Sequence, residues 1–230
     1  MEKEIKEFIP INIEKAEEKR SSDKVSVTVA LSDIIFDPRY HKELLACMPE
    51  KKEEEILSVL DFKSYIVIDP HSMDLSEGDI MSSDLYRERM SYEVDYPPYC
   101  LTGAEGIYEV LKEKTFRVLS TRLEALAAGA PGEAEAAAYR NQKQLLDDLA
   151  DAHPEMLPAD MFIRSISISA EAISEGIALL KPTEENELLA RVIERSDRLG
   201  RLKDLKAPVS IELPARKSLK DSVEEYLGIK

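Results

Sequence analysis

Two helical stripes joined by a proline-bearing turn restrict the C-terminal end of this chain more tightly than any other feature. Leu188, Val192, Leu199 and Leu202 fall on one side of a helix, with Arg195 interrupting the stripe. Thr183 is placed to cap that helix, and Glu184 and Glu185 sit in its first turn, where the helix dipole favours them. The stretch "ARKSLKDSVEEYLG" has Leu219, Val223, Tyr226 and Leu227 as a seam, and Gly228 where a helix end accepts a left-handed residue. Between the two, "APVSIELP" carries two prolines and reads as a turn. Two helices of roughly 20 and 13 residues so connected predict an antiparallel coiled-coil hairpin over 183–230 that projects as a lever.

This hairpin is basic on an acidic chain. Residues 191–220 hold nine Lys and Arg against four Asp and Glu, an excess of five positive charges in a protein of net charge −15. A surface that is mostly acidic repels phosphate, which disfavours general binding to nucleic acid or anionic membranes and leaves at most weak, salt-sensitive contact. Arg195, Arg198 and Arg201 recur every three residues, a slowly drifting stripe along one helix. Arginine pairs bidentately with carboxylates, so the stripe suits an acidic protein partner at least as well as phosphate. The bland alternative is a solvated charged face.

Upstream, residues 1–24 form a polar segment with one short alternating piece, "FIPINI". Residues 25–36, "VSVTVALSDIIF", predict a strand, as do "SYIVIDP" and the alternating "MFIRSISISA" of 161–170. "HKELLACMP" predicts a helical turn, and "EKKEEEILSVLDF" a helix with Ile56, Leu57, Val59 and Leu60 as its apolar face. Ser76 and Ser83 are placed as helix starts. "YPPY" excludes regular helix and central strand. Residues 102–129 read as one helix, with Ile107, Val110, Leu111, Val118, Leu119, Leu123 and Leu126 at helical spacing. It is broken by "GAPGE" from a second helix, "EAEAAAYRNQKQLLDDLADA", in an αα-hairpin.

No constellation of catalytic residues emerges. His41, His71 and His153 stand apart from one another and from Cys47 and Cys100, which read as two reduced thiols. Adjacent carboxylates such as Asp147 and Asp148 point to different helix faces. "LTGAEG" lacks the Lys-Ser/Thr of a phosphate loop. Neither metal nor other cofactor is implied. The charged first residues do not read as a signal peptide, no apolar run is long enough to span a bilayer, and a cytoplasmic location is expected.

At the hairpin a family resemblance appears. "ELLARVIERSDRLGRLKDLKAPVSIELPARKSLKDSVEEYL" resembles the clamp helices of the largest (β′) subunit of bacterial multisubunit RNA polymerase. Leu188, Arg191, Val192, Ile193, Arg195, Arg198, Leu199, Arg201, Leu202, Ala207 and Pro208 keep that pattern. "ILSVLDFKSYIVIDPHSMDLSEGDIMSSDLY", "TGAEGIYEVLK" and "HPEMLPADMFIRSISIS" are similar to family segments in the same order, so collinear likeness covers roughly 25–230. The family's zinc-ribbon cysteines and its magnesium-holding catalytic loop are absent here. Its proline-rich stretch is replaced by "SISISAEAISEGIALLKP", and the return helix departs around Pro214 and Ala215.

The resemblance implies a mainly helical α+β fold, divided into a polar segment 1–24, a clamp-like body 25–182 and the hairpin 183–230. It implies a chain that is non-catalytic by itself and acts in transcription. A sigma-like factor would dock on Arg191, Arg195, Arg198, Arg201, Lys203, Arg216 and Lys217, with other polymerase subunits as further partners. Such a chain is either a piece of a polymerase or a freestanding clamp mimic. The rival reading is an acidic helical adaptor unrelated to polymerase.

Overall fold

Alternation of Val and Ile with polar residues favours an extended strand at 24–36. The computed structural model, which describes residues 16–21, 24–71, 74–92, 97–169 and 184–228, has that strand. β1 (Ala16–Ser21) and β2 (Lys24–Phe36) form an antiparallel hairpin with Ser21 opposite Lys24. "FIPINI", Thr183 and most of the stretch between 170 and 182 lie outside the described residues.

A short 3-10 turn at Pro38–Tyr40, closed by the Asp37 side chain, leads into α1 (His41–Cys47) and α2 (Glu53–Leu60). On α2, Ile56, Val59 and Leu60 are buried, but Leu57 is exposed, so the apolar face is narrower than its sequence implies. β3 (Ser64–Asp69) is the middle strand of a three-stranded antiparallel sheet, with β4 (Ile80–Ser82) and β5 (Tyr99–Leu101) at its edges. The Pro97–Pro98 pair stays outside the edge strand, as the missing N–H groups require. Ser76 does not start a helix. Its N–H donates to Asp79 Oδ2 and its carbonyl accepts from Asp79 N–H, which makes a turn before β4. α3 (Ser83–Tyr92) starts where Ser82 Oγ accepts from Leu85 N–H.

The stretch read as one helix from 102 to 129 is two. α4 (Ala104–Leu111) ends, and α5 (Phe116–Gly129) begins at Thr115, whose hydroxyl accepts from Val118 N–H at 3.3 Å. Val118 faces outward. Two glycines seat α4 on the sheet. Gly103 has φ 75°, and a side chain there would meet the Phe62 ring at 2.3 Å. A Cβ on Gly106 would stand 2.5 Å from Ile66 Cγ2 and 3.1 Å from the Leu101 carbonyl. α5 and α6 (Glu133–Ala152) pack as an αα-hairpin. A second 3-10 turn at Pro158–Met161 leads to β6 (Phe162–Ser169), which joins β1 and β2 in the order β1-β2-β6. α7 (Glu184–Asp204) and α8 (Val209–Tyr226) complete a mainly helical α+β fold.

The chain forms two compact units. One is residues 34–163, and the other joins the described residues up to Asp33 to those from Arg164 onward. The division between these compact units falls at 33/34 and 163/164. The hairpin shares its unit with the first part of β2 because polar side chains tie the two together, as described below. In the unit 34–163, Leu44, Ile56, Ile66, Ile107, Leu111, Phe116, Leu123, Leu146 and Met161 lie in one contiguous apolar cluster. Cys47 and Cys100 are buried thiols rather than a disulfide, and burial pushes the Cys47 thiol up. No described helix is long and apolar enough to cross a membrane.

Candidate docking surface on the helical hairpin

α7 runs 21 residues and α8 runs 18, so the return helix is longer than its sequence suggests. Val192, Leu199, Leu219 and Val223 are fully buried, with Leu189 and Ile193 nearly so. These residues form the apolar seam along which the two helices pack. The connection is tighter than the expected eight-residue turn. Ala207 N–H donates to the Leu202 carbonyl at 2.9 Å and Lys206 N–H to the Lys203 carbonyl at 3.0 Å. Lys206 adopts φ 51°, so the end of α7 is a Schellman motif with lysine in the left-handed position usually given to glycine. Pro208 then caps α8, whose first turn closes on the Pro208 carbonyl through Ile211 and Glu212 N–H. Pro214 lies inside α8, not in the turn. Gly228 has φ 67° just past the helix end, as its sequence position predicts.

One side of α7 lies on strand β2. Ser196, Gly200 and Lys203, spaced by four and three residues, share that side. Ser32 N–H donates to Ser196 Oγ at 2.9 Å, and Lys203 Nζ donates to the Ser32 carbonyl at 2.8 Å. A Cβ on Gly200 would come within 2.9 Å of Ser32 Oγ, so glycine allows the close approach. From α8, Arg216 donates to Asp33 through two parallel bonds, Nε to Oδ2 at 2.7 Å and Nη2 to Oδ1 at 2.9 Å. Lys203 Nζ stands 3.5 Å from the same carboxylate. Asp33 and Arg216 are both buried, so the pair is shielded from solvent.

This seating sorts the basic residues. Arg216 is interior, so it belongs to the fold of the hairpin and not to its surface. Arg195 is half-buried and donates to the Ser218 carbonyl at 2.9 Å and to Ser222 Oγ, across the seam to α8. Lys203 is half-buried against β2. Arg191 is at the surface in an ion pair with Glu225 at 2.7 Å. Arg198, Arg201 and Lys217 are exposed. The stripe Arg195, Arg198 and Arg201 thus divides, with its first member turned inward. Asp197, between them, is half-buried, and burial pushes its carboxyl up, partly offset by the Arg201 charge.

Beside the exposed cations is an apolar tip that sequence reading missed. Leu205, Val209 and Ile211 flank the turn with relative exposures of 78%, 59% and 51%. Their spacing around Pro208 suggested a turn, and only the early start of α8 puts two of them on its outer surface. Asp33 was missed as well. The signal for it was a lone carboxylate within the apolar alternation of "ALSDIIF". Elsewhere, His41 bonds to Glu53 and His71 to Asp69 and the Pro97 carbonyl, all within single-unit surface structure. Among the described residues no three His, Cys, Asp or Glu side chains group as metal ligands.

Comparison with known proteins places similar sequences in one group. The chain is 32% identical over 176 residues to the DNA-directed RNA polymerase subunit beta' of Desulfosudis oleivorans, covering 74% of this chain and 12% of that one. It is 26% identical over 225 residues to the same subunit of Methylococcus capsulatus, 89% of this chain and 16% of the relative. To that of Methylibium petroleiphilum it is 29% identical over 177 residues, 75% of this chain and 12% of the relative. The chain therefore spans only a small part of the length of the curated relatives it matches. No protein-family model matches it.

Proposed function

We propose that the chain is a non-catalytic, clamp-type module of RNA polymerase β′ kind that acts in transcription by docking a sigma-like factor on its basic hairpin. It does so either as a piece of a polymerase or as a freestanding mimic of one. Collinear similarity to β′ subunits over most of the chain supports the polymerase connection. The observation that carries the docking reading is the exposed apolar tip of Leu205, Val209 and Ile211, with exposed Arg198, Arg201 and Lys217 on the adjoining stretches of the two helices. Protein interfaces combine a desolvated apolar centre with charged surroundings that steer the encounter and set register. A solvated charged face has no need of the apolar centre. The complementary partner is a helix with an apolar stripe edged by carboxylates. The remaining polymerase subunits are further partners in the first form of the proposal.

The hairpin's structure refines the test. Arg195 is bonded within the hairpin, so removing it changes the fold as well as the surface. Arg198 and Arg201 are exposed, and alanine suits both by helix propensity. Truncating an interface arginine commonly costs about 2 kcal/mol. In titration calorimetry against the principal sigma factor of the source organism, R198A/R201A is expected to bind at least tenfold more weakly than wild type. Its circular dichroism should be unchanged. A wild-type chain that does not bind, or a folded variant that binds equally well, returns the arginines to the role of a solvated face.

A further inference from the structure

Two consecutive residues of β2 receive polar contacts from both helices of the hairpin. Ser32 gives its N–H to Ser196 Oγ and takes Lys203 Nζ on its carbonyl, while Asp33 takes Arg216 through both carboxylate oxygens and Lys203 at longer range. Ser196 and Lys203 belong to α7 and Arg216 to α8, so one dipeptide fixes both helices. Helix geometry then sets the direction of the surface residues. At about 100° per residue, Arg198 and Arg201 lie roughly half a turn around α7 from Ser196 and Lys203 respectively. Holding Ser196, Gly200 and Lys203 against β2 therefore keeps Arg198 and Arg201 turned away from it. A one-residue slip of α7 on the strand would swing both arginines through about 100°.

Asp33 also limits the set of cations on display. It holds Arg216 in the interior and draws Lys203 against the strand, where either would otherwise add to the exposed positive charge. We propose that Asp33 is a positioning residue for the docking surface: through Arg216 and Lys203 it sets the rotation of the hairpin and selects which of its basic residues meet the partner. This rests on the docking function proposed above.

The test uses the full chain. Asp33→Asn takes the carboxylate charge away from buried Arg216 and is expected to fold poorly, so the informative variant is D33L/R216M, in which both members of the buried pair become apolar. Replacements of that kind are often neutral or stabilising. The first readout is hydrogen exchange of α7 and α8 amides, which needs no partner. The second is calorimetry against the principal sigma factor, with R198A/R201A alongside. The expected result for D33L/R216M is a cooperative thermal transition like that of wild type, with exchange in α7 faster by roughly tenfold because the seat on β2 is loosened. Its binding should also weaken by roughly tenfold, with a steeper salt dependence because Lys203, still on the Ser32 carbonyl, loses the carboxylate that neutralises it. A purely structural role for Asp33 would not change the salt dependence once the fold is restored. Unchanged exchange, or faster exchange with wild-type affinity and salt dependence, overturns the positioning role. Absence of binding by the wild-type chain overturns the docking function itself, and the positioning role falls with it.

Discussion

In residues 34–163 the most deeply buried side chains are Leu44, Ile56, Ile66, Ile107, Phe116, Leu123 and Leu146, a continuous apolar cluster, whereas around the hairpin they include Asp33, Arg216, Ser196 and Ser222 beside a short apolar seam. The first region also holds buried polar groups, such as Thr102 donating to the Ser64 carbonyl at 2.7 Å, but is stabilised chiefly by removing apolar area from water, an effect that does not depend on direction. The second adds directional bonds that fix where each helix sits. Replacing one apolar side chain by another of like volume is tolerated in the first kind of interior, while one unmatched partner in the second leaves a buried charge. Under the docking function proposed above, a region that aims a surface benefits from the directional kind.

The contrast can be broken from either side. Phe116→Ala is expected to destabilise the unit 34–163 by about 4 kcal/mol, from lost transfer energy and the cavity left behind. Denaturant unfolding followed by amide exchange should place the loss in that unit, with α7 and α8 unaffected. Arg216→Ala is expected to cost about 3 kcal/mol in the hairpin unit, because Asp33 loses its bidentate partner and, among the described residues, keeps the more distant Lys203. The same exchange experiment should then show the opposite pattern. Equal loss in both units for either variant would show that the two regions do not respond separately.

The smallest expected effect is electrostatic. The Asp79 carboxyl is held below its usual range by hydrogen bonds from Lys51 and the Ser76 N–H, and Asp147 by Lys143 and Ser120. A depressed folded-state value contributes stability above the unfolded value near 3.9 that is lost as pH falls through the folded value. Asp197 in the hairpin is shifted the other way by burial, so its ionised form costs stability at neutral pH and the cost disappears as the group protonates. Asp197→Asn is therefore expected to raise the melting temperature of the hairpin unit slightly at pH 7 and to lose that advantage in mild acid. A melting temperature lowered at both pH values would contradict the direction.

Much of the fold was legible because periodicity reports burial. The strands at 24–36, 64–69 and 162–169 and the helices α1, α2, α6 and α7 lie where alternation or helical spacing puts them. The break between α4 and α5 was not legible, since "LKEKT" contains neither Gly nor Pro and the signal is one threonine hydroxyl. Ser76 misled because a capping residue and a turn residue use the same side-chain chemistry, and Asp79 decided between them. At the candidate site, residue types and spacing identified a basic hairpin. They did not identify which cations face inward, because the acceptor of Arg216 lies 183 residues away along the chain. The likeness to β′ subunits did not carry that information either, since it rests on residue patterns rather than on side-chain partners.

Pro214 has a consequence for how α8 comes apart. A proline offers no N–H, so the Ser210 carbonyl four residues earlier receives no rung from it. The first turn of α8 is closed separately, by Ile211 and Glu212 on the Pro208 carbonyl. The hydrogen-bond ladder is thus interrupted between the segment bearing Val209 and Ile211 and the segment bearing Arg216 and Leu219. In cooperative terms α8 is weakest at that missing rung. The segment bearing Val209 and Ile211 is therefore expected to open more readily than the one seated on β2, so that, under the docking function proposed above, the tip adjusts to a partner while the seat stays closed.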